Sequence, residues 1–465
     1  MNIVALLEWW DKNRKLLFCV AVSLFIFYFL LSPVNYYLAK SLYEGAFFRM
    51  GIPVLLGIYL AARGLRDGKE VRILLLYWCW IAISRMLNGD PTLTSSLTRI
   101  LELLLMVLLF APGVILPYKQ REILFDVTAV TISVCHFIIC CIAVYVAISG
   151  KRFISPIDDR MIGYLHDIED RLYVLDNHPN TVAGQHLISF CLLCALFFRH
   201  KNTAFRIWTV IAAGLNVVII AMSLSRNGQT FLAVTVAMMA GILLVRHLHG
   251  KKIFVRCAAF LAALLLITPL FYQIYEPIRY GLWTVSASGT SEAGQIKAKP
   301  VAAIQTLSYN AETDTYEEDS RDYLASGRKE IYKSALESIR QEPKRLLIGS
   351  SYDHYLDISH AMIKEQAHNF HNLILEVVNL FGLPGLSLVV WFYICLVKRG
   401  WYLIFDPENR FSLAEQTLVL PIVALTGFYM LEAGLFTDME FRAAFFFFTC
   451  GIMTGVTEIG KNQNG

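Results

Sequence analysis

The run Ala367-His368-Asn369-Phe370-His371-Asn372-Leu373-Ile374-Leu375-Glu376 puts two histidines, two carboxamides and a carboxylate where a polar segment gives way to an apolar one. Ionisable groups at the mouth of an apolar helix are costly to keep there and are usually functional. An imidazole in this position can accept a proton near neutral pH. Glu376, about one helical turn beyond His371 and Asn372, is close enough in sequence to orient it. Arg226, within Ser225-Arg226-Asn227-Gly228, links two apolar blocks, and Arg328, within Ser326-Gly327-Arg328, opens an amphipathic stretch. Guanidiniums carry several fixed donors that suit phosphate oxygens. Each of these residues has a plainer reading. Arg226 is then an interfacial anchor, Arg328 a solvated helix charge, His371 a cap, His368 a surface residue and Glu376 half of a structural polar pair.

The elements that must position them are set by composition. The chain has 465 residues, 56% of them hydrophobic and 17% charged, and the apolar residues come in long blocks. This is a polytopic membrane protein. The net charge of +4 is small, and Lys and Arg collect in particular short connectors, so they report topology and exclude a nucleic-acid surface. All 10 cysteines lie in apolar blocks, which excludes a disulfide framework. Cys191 and Cys194 have metal or redox spacing but sit in an apolar helix and read as packing residues.

Blocks long enough to cross a bilayer fall at 16–35, 46–62, 73–89, 100–116, 123–148, 182–198, 204–224, 229–245, 253–272, 373–396, 416–435 and 441–456. The predicted fold is therefore all-α and polytopic, with about twelve transmembrane helices. Basic residues occupy alternate connectors, such as Arg63, Arg66, Lys69 and Arg72, then Arg199, Lys201 and Arg206, then Lys398, Arg399 and Arg410. Both termini are thus expected in the cytoplasm and the large polar insertions outside. Three regions follow: residues 1–272 with nine spans and an outward loop at 149–181, an extracytoplasmic loop domain at 273–372, and residues 373–465 with three spans and a cytoplasmic C-terminus.

The 149–181 loop alternates charged and apolar residues and is expected to form a short interfacial helix. It ends in Asn177-His178-Pro179-Asn180-Thr181, where His178 and Asn180 are either a polar cavity wall or an ordinary helix start. In the large loop, weak periodicity up to about Ser320 suggests mobility. A helix should then run from Arg328 to Pro343 with a stripe of Ile331, Ala335, Leu336 and Ile339, followed by a second short helix near 356–366. Arg49, Arg85, Glu102, Asp126 and Glu432 are further charges within or near apolar blocks, with no partners assignable from sequence.

These pieces resemble the bacterial O-antigen ligase and O-antigen polymerase superfamily. The matching segments are Arg171 followed by His178-Pro179-Asn180-Thr181-Val182-Ala183, then Ser225-Arg226-Asn227-Gly228, then Ser326-Gly327-Arg328-Lys329-Glu330-Ile331-Tyr332 with Pro343, then His371-Asn372-Leu373 with Glu376 and Gly382-Leu383-Pro384-Gly385. They cover about residues 170–390. The sequence departs from the family pattern at Asn227, where glycine is commoner, and after Pro343, where a single glycine comes late, at Gly349.

The resemblance implies a membrane glycosyltransferase, EC 2.4 in type, at the bacterial inner membrane, with its large loop periplasmic or extracellular. It would take an undecaprenyl-diphosphate-linked glycan as donor and a lipid A core sugar or another glycan as acceptor, in contact with membrane lipid. Catalytic roles fall to Arg226, Arg328, His371 and Glu376, and substrate contacts to Asn372, His368, Asn180 and Arg171. No cofactor and no metal are implied. The layout of one dominant loop favours the ligase branch. The alternatives are a polysaccharide polymerase and a lipid-linked glycan transporter or flippase. A transporter predicts internal repeats and discontinuous helices, which the sequence does not display.

Overall fold

The computed structural model describes residues 68–88, 103–149, 153–154, 161–165, 171–173, 179–288, 306–310, 315–319, 328–350, 370–432, 434–437 and 441–462. The helices are α1 (Lys69–Asn88), α2 (Leu105–Ile115), α3 (Tyr118–Ser149), α4 (Pro179–Arg199), α5 (Thr203–Met222), α6 (Arg226–His247) and α7 (Ile253–Ser288). After them come α8 (Arg328–Gln341), α9 (Arg345–Ile348), α10 (Leu373–Phe405), α11 (Leu413–Gln416), α12 (Val419–Met430) and α13 (Phe441–Asn462). Among the described residues, 8 helices are long and apolar enough to cross a membrane: α3, α4, α5, α6, the first part of α7, α10, α11 with α12, and α13. The blocks at 73–89 and 100–116 coincide with α1 and the shorter α2. The predicted spans at 16–35 and 46–62, and the predicted helix near 356–366, lie outside the described residues.

One expectation about the loops is corrected, and a second segment carries an element that the sequence did not display. In place of an interfacial helix, the loop after α3 holds a three-stranded antiparallel sheet of β1 (Phe153–Ile154), β2 (Met161–Leu165) and β3 (Arg171–Tyr173), with Gly163 opposite Tyr173 and Leu165 opposite Arg171. Alternation of charged and apolar residues has the period of a strand, and that period prevails here. The weakly periodic part of the large loop holds a hairpin of β4 (Thr306–Asn310) and β5 (Thr315–Asp319), rich in Thr and Tyr. Among the described residues the membrane-crossing elements are all helices. The membrane-crossing part of α7, Ile253–Gln273, agrees with the predicted span at 253–272, and the helix continues 16 residues past 272 to Ser288 despite Pro269 and Pro277. The predicted helix at Arg328 ends at Gln341, just before Pro343, but Leu336 is 58% exposed. Ala335 and Ser338 form the buried face in its place.

Polar contacts sort the bundle by end. At one end Arg399 pairs with Glu70 at 3.0 Å and Glu458 at 2.8 Å, and Arg199 pairs with Glu122 at 2.9 Å. There too Arg246 donates to the Phe411 carbonyl at 2.9 Å and Arg410 to that of Gly460 at 3.0 Å. These residues flank the second, fourth, sixth, eighth and tenth predicted connectors or, for Glu458 and Gly460, follow the last predicted span. Residues flanking the fifth, seventh, ninth and eleventh meet one another separately, around Glu432. Helix α13 runs through the middle and packs closely on α2, because Gly451 and Gly455, four apart, face the backbone around Gly113 where any Cβ would overlap it.

Helix α10 is broken at Gly382, whose φ of 68° and ψ of −173° are non-helical. Pro384 compounds the break by withholding an N–H. Freed carbonyls inside an apolar bundle need new donors. The Asn379 carbonyl takes the Ser350 N–H at 2.8 Å, and that of Phe381 takes Trp80 Nε1 at 2.6 Å. Gly349, with φ of 72°, lies against the Leu380 carbonyl where no side chain fits. The late glycine after Pro343 is therefore the one that docks α9 onto the kink.

Candidate functional site

Helix α10 starts with Asn372 as its N-cap, the carboxamide oxygen accepting from Ile374 and Leu375 N–H at 3.0 Å each. Immediately before it, His371 has φ of 46°, a left-handed conformation that costs a non-glycine residue about 1–2 kcal/mol. Strain of this kind persists only where surrounding contacts over-determine it. Here the Tyr332 hydroxyl of α8 donates to the His371 carbonyl at 3.2 Å, and Phe370 is 2% exposed. The imidazole Nδ1 lies 3.1 Å from Glu432 Oε2, with the side chains 28% and 11% exposed.

Glu432 sits in the bend just beyond α12 and gathers three other segments. Its Oε1 accepts from the Asn180 carboxamide at 2.7 Å, in the first turn of α4, and from Asn227 at 3.1 Å, in the first turn of α6. Asn180 Oδ1 in turn accepts from the Ser225 hydroxyl at 2.8 Å. Ser225 caps α6 by accepting from the Gly228 N–H at 3.1 Å. The residue before it, Leu224, has φ of 50°, so left-handed backbone occurs on two of the chain segments that enter this cluster. Arg226 is the first residue of α6 and is exposed, between two residues that belong to the network.

The predicted residues are thus distributed as follows. His371 and Asn180 stand in one hydrogen-bonded cluster, and Arg226 is on the turn that cluster holds. Arg328 opens α8, four positions before Tyr332, and α8 is also fixed to α10 by the Ser338 hydroxyl, 2.8 Å from Asn379 Oδ1. Asn372 serves as a helix cap. Arg171 is in β3, opposite Leu165, in a strand packed near α4 and α5. His368 and His178 lie outside the described residues.

Glu376 is the correction. The carboxylate bonded to the imidazole is Glu432, whereas Glu376, 3% exposed, accepts from the Thr437 hydroxyl at 2.8 Å. Sequence reasoning named Glu432 only as a charge without a partner, and gave no role to Tyr332. The available signal was a lone carboxylate between Leu431 and Ala433 on the same side as His371 by connector parity. Asn227, a departure from the commoner glycine, proves to be a ligand of that carboxylate.

A bundle of apolar helices carrying a histidine–carboxylate pair at one end, with two arginine-bearing helix starts beside it, defines a multi-pass membrane protein with a polar centre at the membrane boundary. Residues 210–390 match the family model described as O-antigen ligase, and the match supports the O-antigen ligase superfamily. That stretch contains Arg226, Arg328 and His371, while Asn180 and Glu432 lie on either side of it. Neither the curated proteins nor the solved structures compared with the chain gave a match. The family supports a function of the ligase or polymerase type, with a lipid-linked glycan and an acceptor as substrates.

Proposed function

We propose that this protein is a metal-independent, inverting glycosyltransferase of the ligase branch. It moves a saccharide from undecaprenyl diphosphate to a hydroxyl of a lipid A core sugar on the outer face of the cytoplasmic membrane. The observation that carries the reading is the convergence of Asn180, the Ser225–Asn227 turn and His371 on Glu432, with the helix that bears Arg328 latched to the His371 carbonyl. The donor enters from the lipid, its isoprenoid along the bundle and its diphosphate under Arg226 and Arg328. His371 acts on the acceptor hydroxyl, which attacks the anomeric carbon. The arginines stabilise the charge that grows on the departing diphosphate, the contribution that matters most in such a transfer.

The test is transfer by purified protein in nanodiscs, given a defined lipid-linked donor, with core lipid and a second lipid-linked donor offered in parallel. The expected product is glycosylated core lipid, formed equally well in EDTA and lost in Arg328→Ala and His371→Ala at equal protein abundance. Product on the second donor alone makes the protein a polymerase. Donor moved across the bilayer without any covalent product makes it a transporter. Full activity of His371→Ala or Arg328→Ala removes that residue from the mechanism.

A further inference from the structure

We infer that Glu432 is the positioning residue of this centre. It holds His371 as the Nδ1–H tautomer so that Nε2 takes the acceptor's proton, and it ties that base to the arginine-bearing turn of α6. The inference rests on the glycosyl-transfer reading and gives Glu432 a role that reading leaves unassigned.

The hydrogen-bond inventory leads to it. A carboxamide N–H can only donate, so Asn180 and Asn227 both load Glu432 Oε1 as donors, at 2.7 and 3.1 Å. Two donors on one oxygen suit an ionised carboxylate, whose hydrogen bonds are the stronger kind. Across the 3.1 Å between Oε2 and Nδ1 a single proton is shared. A carboxylate so loaded is an acceptor at Oε2 as well, so the proton belongs to Nδ1. In the neutral ring the lone pair then resides on Nε2. The left-handed backbone at His371 and the Tyr332 bond to its carbonyl fix the ring's anchor, and Glu432 fixes its rotation and tautomer.

The same carboxylate spans the two halves of the site. From Ser225, which caps the helix begun by Arg226, the path runs through Asn180 to Glu432 and on to His371, every link a hydrogen bond of 3.1 Å or less. In the step itself, the hydroxyl proton passes to Nε2 as the oxygen bonds the anomeric carbon. The bond from that carbon to the phosphate oxygen breaks, and its electron pair leaves on the diphosphate. The imidazolium so formed faces Glu432, which is 8% exposed and so poorly screened by water.

The experiment uses the full chain in nanodiscs. Labelled with ¹⁵N-histidine, the wild-type protein should show His371, assigned by difference against His371→Asn, as the Nδ1–H tautomer. Glu432→Gln should lower kcat by about 100-fold or more, since loss of tautomer control alone is severe in comparable centres. Its donor KM should stay within about threefold, and Glu432→Asp, which keeps the charge, should recover part of kcat. His371 protonated at Nε2 in the wild type overturns the inference even if no Glu432 variant folds. So does wild-type kcat in Glu432→Gln while His371→Ala is inactive, an outcome that leaves the transfer reading standing. An active His371→Ala instead sinks the histidine's part in transfer, and the inference with it.

Discussion

Loosening α8 from α10 asks directly whether Arg328 works where the bundle places it. Two polar fastenings among the described residues are Tyr332 Oη to the His371 carbonyl at 3.2 Å and the Ser338 hydroxyl to Asn379 Oδ1 at 2.8 Å. Tyr332→Phe deletes a half-buried bond and should cost about 1 kcal/mol. Ser338→Ala acts at a residue 1% exposed and leaves Asn379 Oδ1 without that donor, at about 1–2 kcal/mol. The Ser338 proton is shared with the Ala335 carbonyl, also at 2.8 Å, which places the change at the lower end of that range. Together the two substitutions take about 2 kcal/mol from one docking equilibrium, a factor of roughly 30. With Arg328 gripping the donor diphosphate, the double variant should raise donor KM by about 10- to 30-fold. Acceptor KM and membrane abundance should stay near wild type. Initial rates at varied donor and fixed saturating acceptor measure this. An unchanged donor KM in the double variant, alongside loss of transfer in Arg328→Ala, would refute the idea that docking of α8 delivers the arginine.

Glu376→Gln should keep transfer within about fivefold of wild type, because Glu376 bonds Thr437 and the imidazole carboxylate is Glu432. A loss as deep as that of His371→Ala would return Glu376 to the chemistry. Gly382→Ala meets both a positive φ of 68° and the Leu346–Leu347 backbone, so the melting temperature should fall by an amount equivalent to about 2 kcal/mol or more. An unshifted melt would mean that the kink is not a fixed feature. At the opposite end, burial pushes the Asp406 carboxyl up, but hydrogen bonds from the Arg410 guanidinium and N–H hold it net below its ordinary value. A depressed carboxyl contributes stability that is fully present above its unfolded pKa, about 4, and is lost as pH falls through the folded value. The stability gap between wild type and Arg410→Ala should therefore be full at pH 7 and shrink below about pH 4, as read by thermal melts in detergent. A gap independent of pH would exclude the ion pair as its source.

Much of the architecture follows from chain-local physics. Apolar blocks such as 204–224 and 229–245 coincide with α5 and α6 because a backbone in lipid must satisfy its own hydrogen bonds, and only a helix does so within one segment. The start of α10 was legible to within a residue: the sequence offered His371 as the cap, whereas the capping side chain is Asn372, and Ser225 caps α6 in the same way. The loop sheets were misread because alternation over a few residues is weak evidence in a charged segment, and strand pairing between β2 and β3 is a contact the sequence does not display.

By itself the sequence determined which residues could do chemistry at one end of the bundle: His371, Asn180, Arg226 and Arg328, each at a helix start and on the same side by connector parity. Only the tertiary structure decided which carboxylate the histidine uses. Glu376 is near in sequence and was the local choice, yet it faces Thr437, while Glu432, 61 residues from His371, closes on the ring. The physical reason is that helix spacing fixes neighbours only within a turn or two. Where α4, α6, α10 and the end of α12 meet is set by packing, including the glycine contacts of α13 and the kink at Gly382, and it is that meeting which brings three segments onto the carboxylate of a fourth.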